Sequence, residues 1–419
     1  MRKISKISLV AAVAVAGFST ANAQPLEEAI KNVDVSGSVV YRYNNYDNSV
    51  GTKTQPESNN YKIGLNLSSK VNDYVKFNSR FIVGDKTDFA SLSSKKDAAG
   101  DTNASVTLSQ AYFGLTAIPN TVVNIGKQGL TTPYTVATDI NGNEQTGTGI
   151  LALSTFGPIT AGAGYFNSTN VNESGNGIIS TTRLFNTLNN SGANGKGGLD
   201  MYVATVQGDL DFVKLEAWYA GLQNTFNSYT LAATSNIDLA ENAKLGLEAR
   251  YVDLTFNNKV KNLTGLTSED NSMIRLAVDG KFSIVNARLA YTMTDKDGGL
   301  TALDQDAKNT SLGWFITSNG IADADYFQAA LGADILDNLN FTAHYGNLKA
   351  DRTDAGRTTL SSALITGQEL KQQEVYGQLT YKMSKNLSTY LRYGNFEQKV
   401  GGTKNIDQDA GRLQVAYTF

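Results

Sequence analysis

From Val33 onward the chain alternates apolar and polar residues with a period of two. Val33, Val35, Val39, Tyr41 and Tyr43 share one face, and Asp34, Ser36, Ser38 and Arg42 share the other. The pattern recurs at Tyr61, Ile63, Leu65 and Leu67, at Val75, Phe77, Phe81 and Val83, and at Leu245, Leu247, Ala249 and Tyr251. It recurs again at Leu387, Leu391 and Tyr393 and closes with Leu413, Val415, Tyr417 and Phe419. Such alternation predicts strands with one apolar and one polar face. Strands are expected at 33–43, 60–68, 74–83, 105–116, 121–127, 149–154, 159–166, 199–207, 211–220, 227–234, 243–253, 271–280, 284–294, 326–334, 339–348, 373–382, 386–396 and 410–419. That makes 18, within a range of 16 to 20, because Trp314 and Phe315 in 311–318 leave a loop strand or a further span open. Short connections such as 70–73, 117–120 and 383–385 alternate with long polar ones such as 84–104, 128–148, 167–198 and 295–325. The expected fold is an all-β, antiparallel up-and-down barrel with short turns at one end and long loops at the other.

The charge on the polar face decides what surrounds this barrel. That face carries Arg42, Lys62, Lys76, Arg80, Glu248, Arg250, Arg275, Asp279, Arg288 and Arg392. A packed core does not tolerate so many charges, since each unpaired one costs several kcal/mol to bury. A water-filled bore does, provided the apolar face meets lipid. Strands of about ten residues suit a tilted membrane span, and closure is required because open strand edges cannot sit in hydrocarbon. Tyr41, Tyr43, Tyr251, Tyr291, Tyr381, Tyr393 and Tyr417 lie near strand ends, as interfacial girdles require.

Residues 1–23 read as an export signal. Arg2, Lys3 and Lys6 precede a short apolar run from Ile7 to Phe18, and Ala21-Asn22-Ala23 forms a cleavage site. Cleavage would leave residues 24–419 as a single barrel domain and move the net charge from −3 to −6. Residues 24–32, with Pro25, Glu27, Glu28 and Lys31, suit a short helix on the periplasmic side.

Composition removes other classes. The 419 residues contain no Cys and one His, so thiol chemistry, Cys-ligated zinc and His-based catalysis are not expected. The near-neutral charge gives no footprint for nucleic acid. A mean hydropathy of −0.26 and no later apolar run of about 20 residues exclude helical spans. His344 falls on a polar, bore-facing position. Asp295-Lys296-Asp297-Gly298-Gly299 opens like a calcium loop, but Leu300 stands where such a loop needs Gly. No constellation supports an enzyme.

The stretch Pro25-Leu26-Glu27-Glu28-Ala29-Ile30-Lys31-Asn32-Val33-Asp34-Val35-Ser36-Gly37, followed by Tyr41-Arg42-Tyr43, resembles the major outer membrane protein (porin) family of Campylobacter and related epsilonproteobacteria. Ser109-Gln110-Ala111-Tyr112, Ile125-Gly126-Lys127-Gln128 and Thr146-Gly147-Thr148-Gly149 resemble that family's fourth and fifth strands and constriction loop. The terminal Ala416-Tyr417-Thr418-Phe419 fits as well. The resemblance implies an 18-stranded homotrimeric porin of the Gram-negative outer membrane, surrounded by lipid and lipopolysaccharide, with its third long loop folded into the pore. It also implies a calcium ion at the constriction. The family's acidic position there is filled by Asn141, which leaves Asp139, Glu144 and Glu173 as the candidate ligands.

The expected function is passive diffusion of ions and small hydrophilic solutes. Asp139 and Glu144 on the inward loop would face Arg42, Lys62, Arg80 and Arg392 on the wall, setting a transverse field across the neck. The alternatives are a substrate-specific channel with a binding ladder in its lumen, or a structural or adhesive surface barrel.

Overall fold

The computed structural model describes residues 33–50, 57–84, 89–91, 105–171, 200–264, 268–351 and 368–419. The export signal, the expected helix at 24–32 and Glu173 lie outside the described residues.

Eighteen spanning strands form one closed antiparallel sheet. They are β1 (Val33–Asn48), β2 (Ser58–Asn72), β3 (Val75–Val83), β5 (Val106–Leu115), β6 (Thr121–Gly129), β7 (Thr146–Phe156), β8 (Ile159–Thr169), β9 (Met201–Leu210) and β10 (Val213–Leu222). The second half comprises β11 (Phe226–Ala240), β12 (Ala243–Phe256), β13 (Asp270–Phe282), β14 (Val285–Thr294), β15 (Ala324–Leu336), β16 (Leu339–Ala350), β17 (Leu370–Lys382), β18 (Leu387–Val400) and β19 (Thr403–Thr418). A two-residue strand, β4 (Ala90–Ser91), adds only a stub beside Asn60 and Tyr61. Among the described residues one short helix, α1 (Asn258–Thr264), sits in the β12–β13 connection. Every expected strand is present, and most run two to seven residues further than the alternation predicts. Residues 311–318 are a loop turn closed by a Leu312–Thr317 bridge, not a span.

The ring closes where β1 pairs with β19, from Ser38 opposite Thr418 to Asn48 opposite Gln408. Gly37 and Phe419 exchange both backbone hydrogen bonds at the seam, at 2.9 and 3.1 Å. Two connections on the long-loop side are tight, 223–225 between β10 and β11 and 401–402 between β18 and β19. The β18–β19 hairpin turns on Gly401 and Gly402, whose φ values of 55° and 81° fit the mirror-image turn that matches strand twist.

Burial settles which face is which. Leu276, Leu331 and Val206 point outward at 54%, 60% and 55% exposure, whereas Arg42 and Arg250 point inward at 5% and 3%. The apolar face is therefore the outside, as lipid requires. Outward aromatic pairs such as Tyr165–Tyr202 and Tyr219–Tyr229, with ring centroids 5.1 and 5.3 Å apart, continue the belt across neighbouring strands.

The bore departs from the expectation of a uniformly polar lining. Met201, Val203, Leu222, Phe226, Val252, Leu254 and Phe256 face inward near the long-loop end and are buried against Leu130, Tyr134, Leu300 and Leu303. Loops supply the covering residues, so this end of the bore holds a dry core. Each fully buried Leu or Phe contributes about 2 kcal/mol, which offsets the entropy of ordering long loops inside the barrel.

Candidate functional site

Among the described residues, two loops enter the bore. The first inward loop, 130–145, joins β6 to β7, and the second, 295–323, joins β14 to β15. The first was expected. The second is one of the long polar connections of the sequence, whose polarity suits an exterior loop, but the structure folds it inward: Leu300, Thr301, Leu303, Asp304 and Asn309 are fully buried. Its two legs cross so closely that a Cβ at Gly299 would overlap the backbone of Ile321.

The tip of the first loop is organised by Asp139. Its Oδ1 accepts the N–H groups of Asn141 and Asn143, both at 2.8 Å, and its Oδ2 accepts the Asn143 amide at 2.7 Å. Such side-chain-to-backbone bonds are the usual work of Asp in a turn. Gly142 completes the turn at φ 77°, where a Cβ would lie 2.9 Å from Phe89 and 3.0 Å from Lys62. Burial pushes the Asp139 carboxyl above the usual aspartate range, against the pull of its hydrogen bonds.

Three wall residues hold this tip. Arg42 on β1 donates to the Ile140 carbonyl at 2.6 Å and to Asn141 Oδ1 at 3.2 Å. Lys62 on β2 donates to the Gly142 carbonyl. Arg80 on β3 reaches Glu144 Oε1 through Nε and Nη2, each at 2.8 Å. The other Glu144 oxygen accepts the hydroxyl of Ser109. A bulge makes that bond possible. β5 carries one extra residue between Gln110, opposite Arg80, and Leu108, opposite Phe81, so Ser109 turns inward while Leu108 stays in the outer belt.

Asp139 and Glu144 thus lie beside the basic wall, Glu144 directly on Arg80, but neither stands in open solvent. Both are buried, at 6% and 2% exposure, and both carboxylates are committed to fixing the loop. As they stand they do not offer the open oxygen set that calcium takes, and among the described residues no group of three His, Cys, Asp or Glu is placed to hold a metal.

The second loop packs on the first and spans the bore. Leu303 N donates to the Tyr134 carbonyl at 2.8 Å, Asn309 N to the Pro133 carbonyl at 2.9 Å, and Gln145 Nε2 to the Leu303 carbonyl at 3.0 Å. On one wall, Arg275 of β13 donates to the Thr310 carbonyl and Arg250 of β12 to Asn309 Oδ1 at 3.3 Å. Glu248 is shared among Arg275, Arg250 and Arg288, at 2.6, 3.1 and 3.8 Å, and Arg288 also meets Asp279 at 2.5 Å. These expected lumen charges thus form one network that supports the second loop. Lys76 stands exposed near the short-turn rim, away from the constriction.

On the opposite wall the loop's turn, 312–317, leans on β17, β18 and β19. Arg392 bonds Gln378 Oε1 through Nε and Nη2, at 2.8 and 2.6 Å, and lies 5.0 to 5.3 Å from the ring centroids of Tyr376, Trp314 and Tyr390. Arg412 donates to Asn44 Oδ1 at 2.7 Å and to the Tyr46 hydroxyl at 3.2 Å. His344 stacks on Tyr376, with centroids 4.4 Å apart, so it lines the lumen as expected.

Between the loops and this wall lies a cavity of about 370 Å³. Arg42, Arg392 and Arg412 line it together with Asn44, Tyr46, Asn60, Phe89, Ile140, Asn141, Gln305, Trp314 and Phe315. Among the described residues, no carboxylate lines it. Asp306 stands exposed at its edge, on the second loop, where it accepts the Ile140 N–H at 3.0 Å. Arg412, Asp306, Trp314 and Glu374 were not among the expected site residues. The even–odd parity of β17 and β19 marks Glu374 and Arg412 as inward, and Trp314-Phe315 is an aromatic pair inside a polar loop.

A family model described as Campylobacter major outer membrane protein matches residues 1–419, the whole sequence. The chain belongs to that family. Solved structures agree on the fold. OprD from Pseudomonas aeruginosa superposes with a TM-score of 0.67 at 16% identity, covering 92% of this chain and 93% of that one. OccK8 (OprE) from the same organism gives 0.67 at 18% identity, covering 93% and 98%, and OccAB3 from Acinetobacter baumannii gives 0.66 at 14%, covering 92% and 99%. No curated protein gave a significant sequence match. Family and architecture together make this chain a porin of the Gram-negative outer membrane, a channel for small solutes.

Proposed function

We propose that this porin orients charged and dipolar solutes across its neck, favouring those that carry a carboxylate. The observation that carries the reading is the cavity lined by Arg42, Arg392 and Arg412, with no carboxylate among its described lining residues. Arg392 and Arg412 take neutral hydrogen-bond partners, Gln378, Asn44 and Tyr46, so their charge is available to a passing solute. Guanidinium forks match carboxylates in two parallel bonds. Asp306 on the loop ridge supplies the opposite pole, and low-dielectric walls focus the field between them. A carboxylate would lean to the wall and an ammonium group to the ridge. This is the substrate-selective variant of a porin, and the arginine cavity is what favours it over an indifferent pore.

The test is a planar bilayer containing the purified porin, with acetate, succinate or a neutral sugar of similar size added on one side. Succinate is expected to shorten open-channel currents in a saturable way, and the sugar is not. Equal effects of both would contradict the reading.

The same proposal includes assembly as a homotrimer in contact with lipopolysaccharide, for which family membership is the support. Cross-linking of the porin in native outer membranes tests it, with a trimer band expected and a monomer band alone contradicting it.

A further inference from the structure

We propose that Glu374 is the latch that sets the size of solute the bore admits, by holding the turn 312–317 of the second inward loop inside the lumen. The inference is independent of which charges the arginines favour.

Glu374 stands mid-way along β17 on the bore face and is 2% exposed. A buried carboxylate usually takes a cationic partner. This one instead receives backbone N–H groups from three successive residues of the loop. Its Oε1 accepts from Trp314 at 3.0 Å, and its Oε2 accepts from Phe315 at 2.8 Å, from Trp314 at 3.1 Å and from Ile316 at 3.4 Å. Successive N–H groups pointing into one concavity form a nest that holds an anion. Here the anion belongs to the wall and the nest to the loop, so the bond ties one to the other.

Two glycines clear the space for this carboxylate. A Cβ at Gly313, on the loop, would overlap Glu374 Oε1. A Cβ at Gly346, on neighbouring β16, would lie 3.0 Å from Glu374 Cγ and Oε1. The cradle is therefore built from loop and wall independently, which a chance contact would not require.

Holding the turn there has a direct consequence for the passage. The turn places Trp314 under Arg392 and stacks Phe315 on Phe396, with centroids 5.3 Å apart. Both rings line the cavity that forms the neck. Without the latch, three N–H groups lose their acceptor inside the bore, and an unpaired buried donor favours leaving for water. The turn would swing out and the neck would widen.

The experiment compares Glu374→Ala with Gly313→Val, which attacks the same cradle from the loop side. Each is expected to raise single-channel conductance about two-fold, since ion flow follows the width and lining of the water path. Each should also admit larger neutral oligosaccharides in liposome swelling, while the heat-dependent gel shift of the folded barrel stays unchanged. Glu374→Gln, which keeps one acceptor oxygen but adds a donor, should move in the same direction by less. Unchanged conductance and size limit in an intact barrel would overturn the proposal. Failure of both Glu374→Ala and Gly313→Val to form a barrel would overturn it too, because Glu374 would then serve closure of the strands and not the loop.

Discussion

Arg42 and Asp306 hold opposite ends of one residue: Arg42 Nη2 donates to the Ile140 carbonyl at 2.6 Å, and Asp306 Oδ2 accepts the Ile140 N–H at 3.0 Å. The positive wall and the negative ridge of the neck thereby meet at a single residue. Rigid placement matters because a field across a pore acts on a solute only if the charges keep their positions as it passes.

That arrangement makes the neck sensitive to acid through Asp306, which lies in a loop outside the spanning strands. Although the side chain is exposed, partial loss of water on the side that faces the first loop is the main force raising its carboxyl above the ordinary value of 3.8. The Asp139 charge adds to the rise, and the Ile140 N–H opposes it. A raised value means that protonation occurs at a higher pH than for a free aspartate. As pH falls towards that range, Asp306 loses its charge while the arginines keep theirs. Reversal potentials measured across a salt gradient are therefore expected to move towards anion preference at a pH still above 3.8. Asp306→Asn should show that preference already at pH 7 and lose most of the acid-dependent step. A step of full size in Asp306→Asn would contradict this assignment.

The grip of Arg80 on Glu144 anchors the other end of the first loop. With side-chain exposures of 14% and 2%, the pair is shielded from solvent, so removing one partner leaves a charge without compensation. Arg80→Ala and Glu144→Ala should each expose the loop to protease in the folded barrel, and the double variant should cost less than the sum. A double-mutant cycle on loop protection is expected to give a coupling of about 2 kcal/mol. Additive behaviour would mean that the pair does not act as a unit.

The outer face carries its own prediction. Val278 lies mid-way down the apolar belt of β13 at 44% exposure, flanked by Leu247 and Leu289 on the neighbouring strands. Val278→Arg is expected to destabilise the barrel by about 3 kcal/mol in lipid, the cost of a cation near the bilayer midplane. Thr234→Arg, on the bore side opposite Glu248, should cost far less. Urea unfolding in lipid vesicles separates the two, and equal costs would contradict the inside–outside assignment.

The strands were legible because lipid imposes one rule on every span. Leu245, Leu247 and Leu276 had to alternate with Lys244, Gly246 and Arg275 whatever lay inside. Strand ends were less legible, since beyond the lipid the rule lapses. β19 begins at Thr403, seven residues before the alternation becomes clear, because Lys404, Asn405 and Asp407 are polar on both faces. The wall charges Arg42, Lys62, Arg80 and Arg392 were readable from parity alone. The role of a loop acid was not. Asp139 is as acidic as Asp306 in sequence, yet one turns inward to cap its own turn and the other faces the neck. Their fates depend on Asn143, four residues from Asp139, and on Ile140, 166 residues from Asp306. Trp314-Phe315 was visible as an anomaly, but its partner Glu374 comes from a strand 60 residues on, and no local pattern joins them.

The account turns on opposed charges that face each other across a water-filled neck, and paired charge variants test it most directly. Reversal potentials of single channels should be measured in one salt gradient at pH 7 for the unaltered porin, Asp306→Asn, Arg392→Gln and Arg412→Gln. Asp306→Asn is expected to shift towards anions and both arginine variants towards cations, with conductance steps retained in all four. Shifts in the same direction, or no shift in either class, would contradict it.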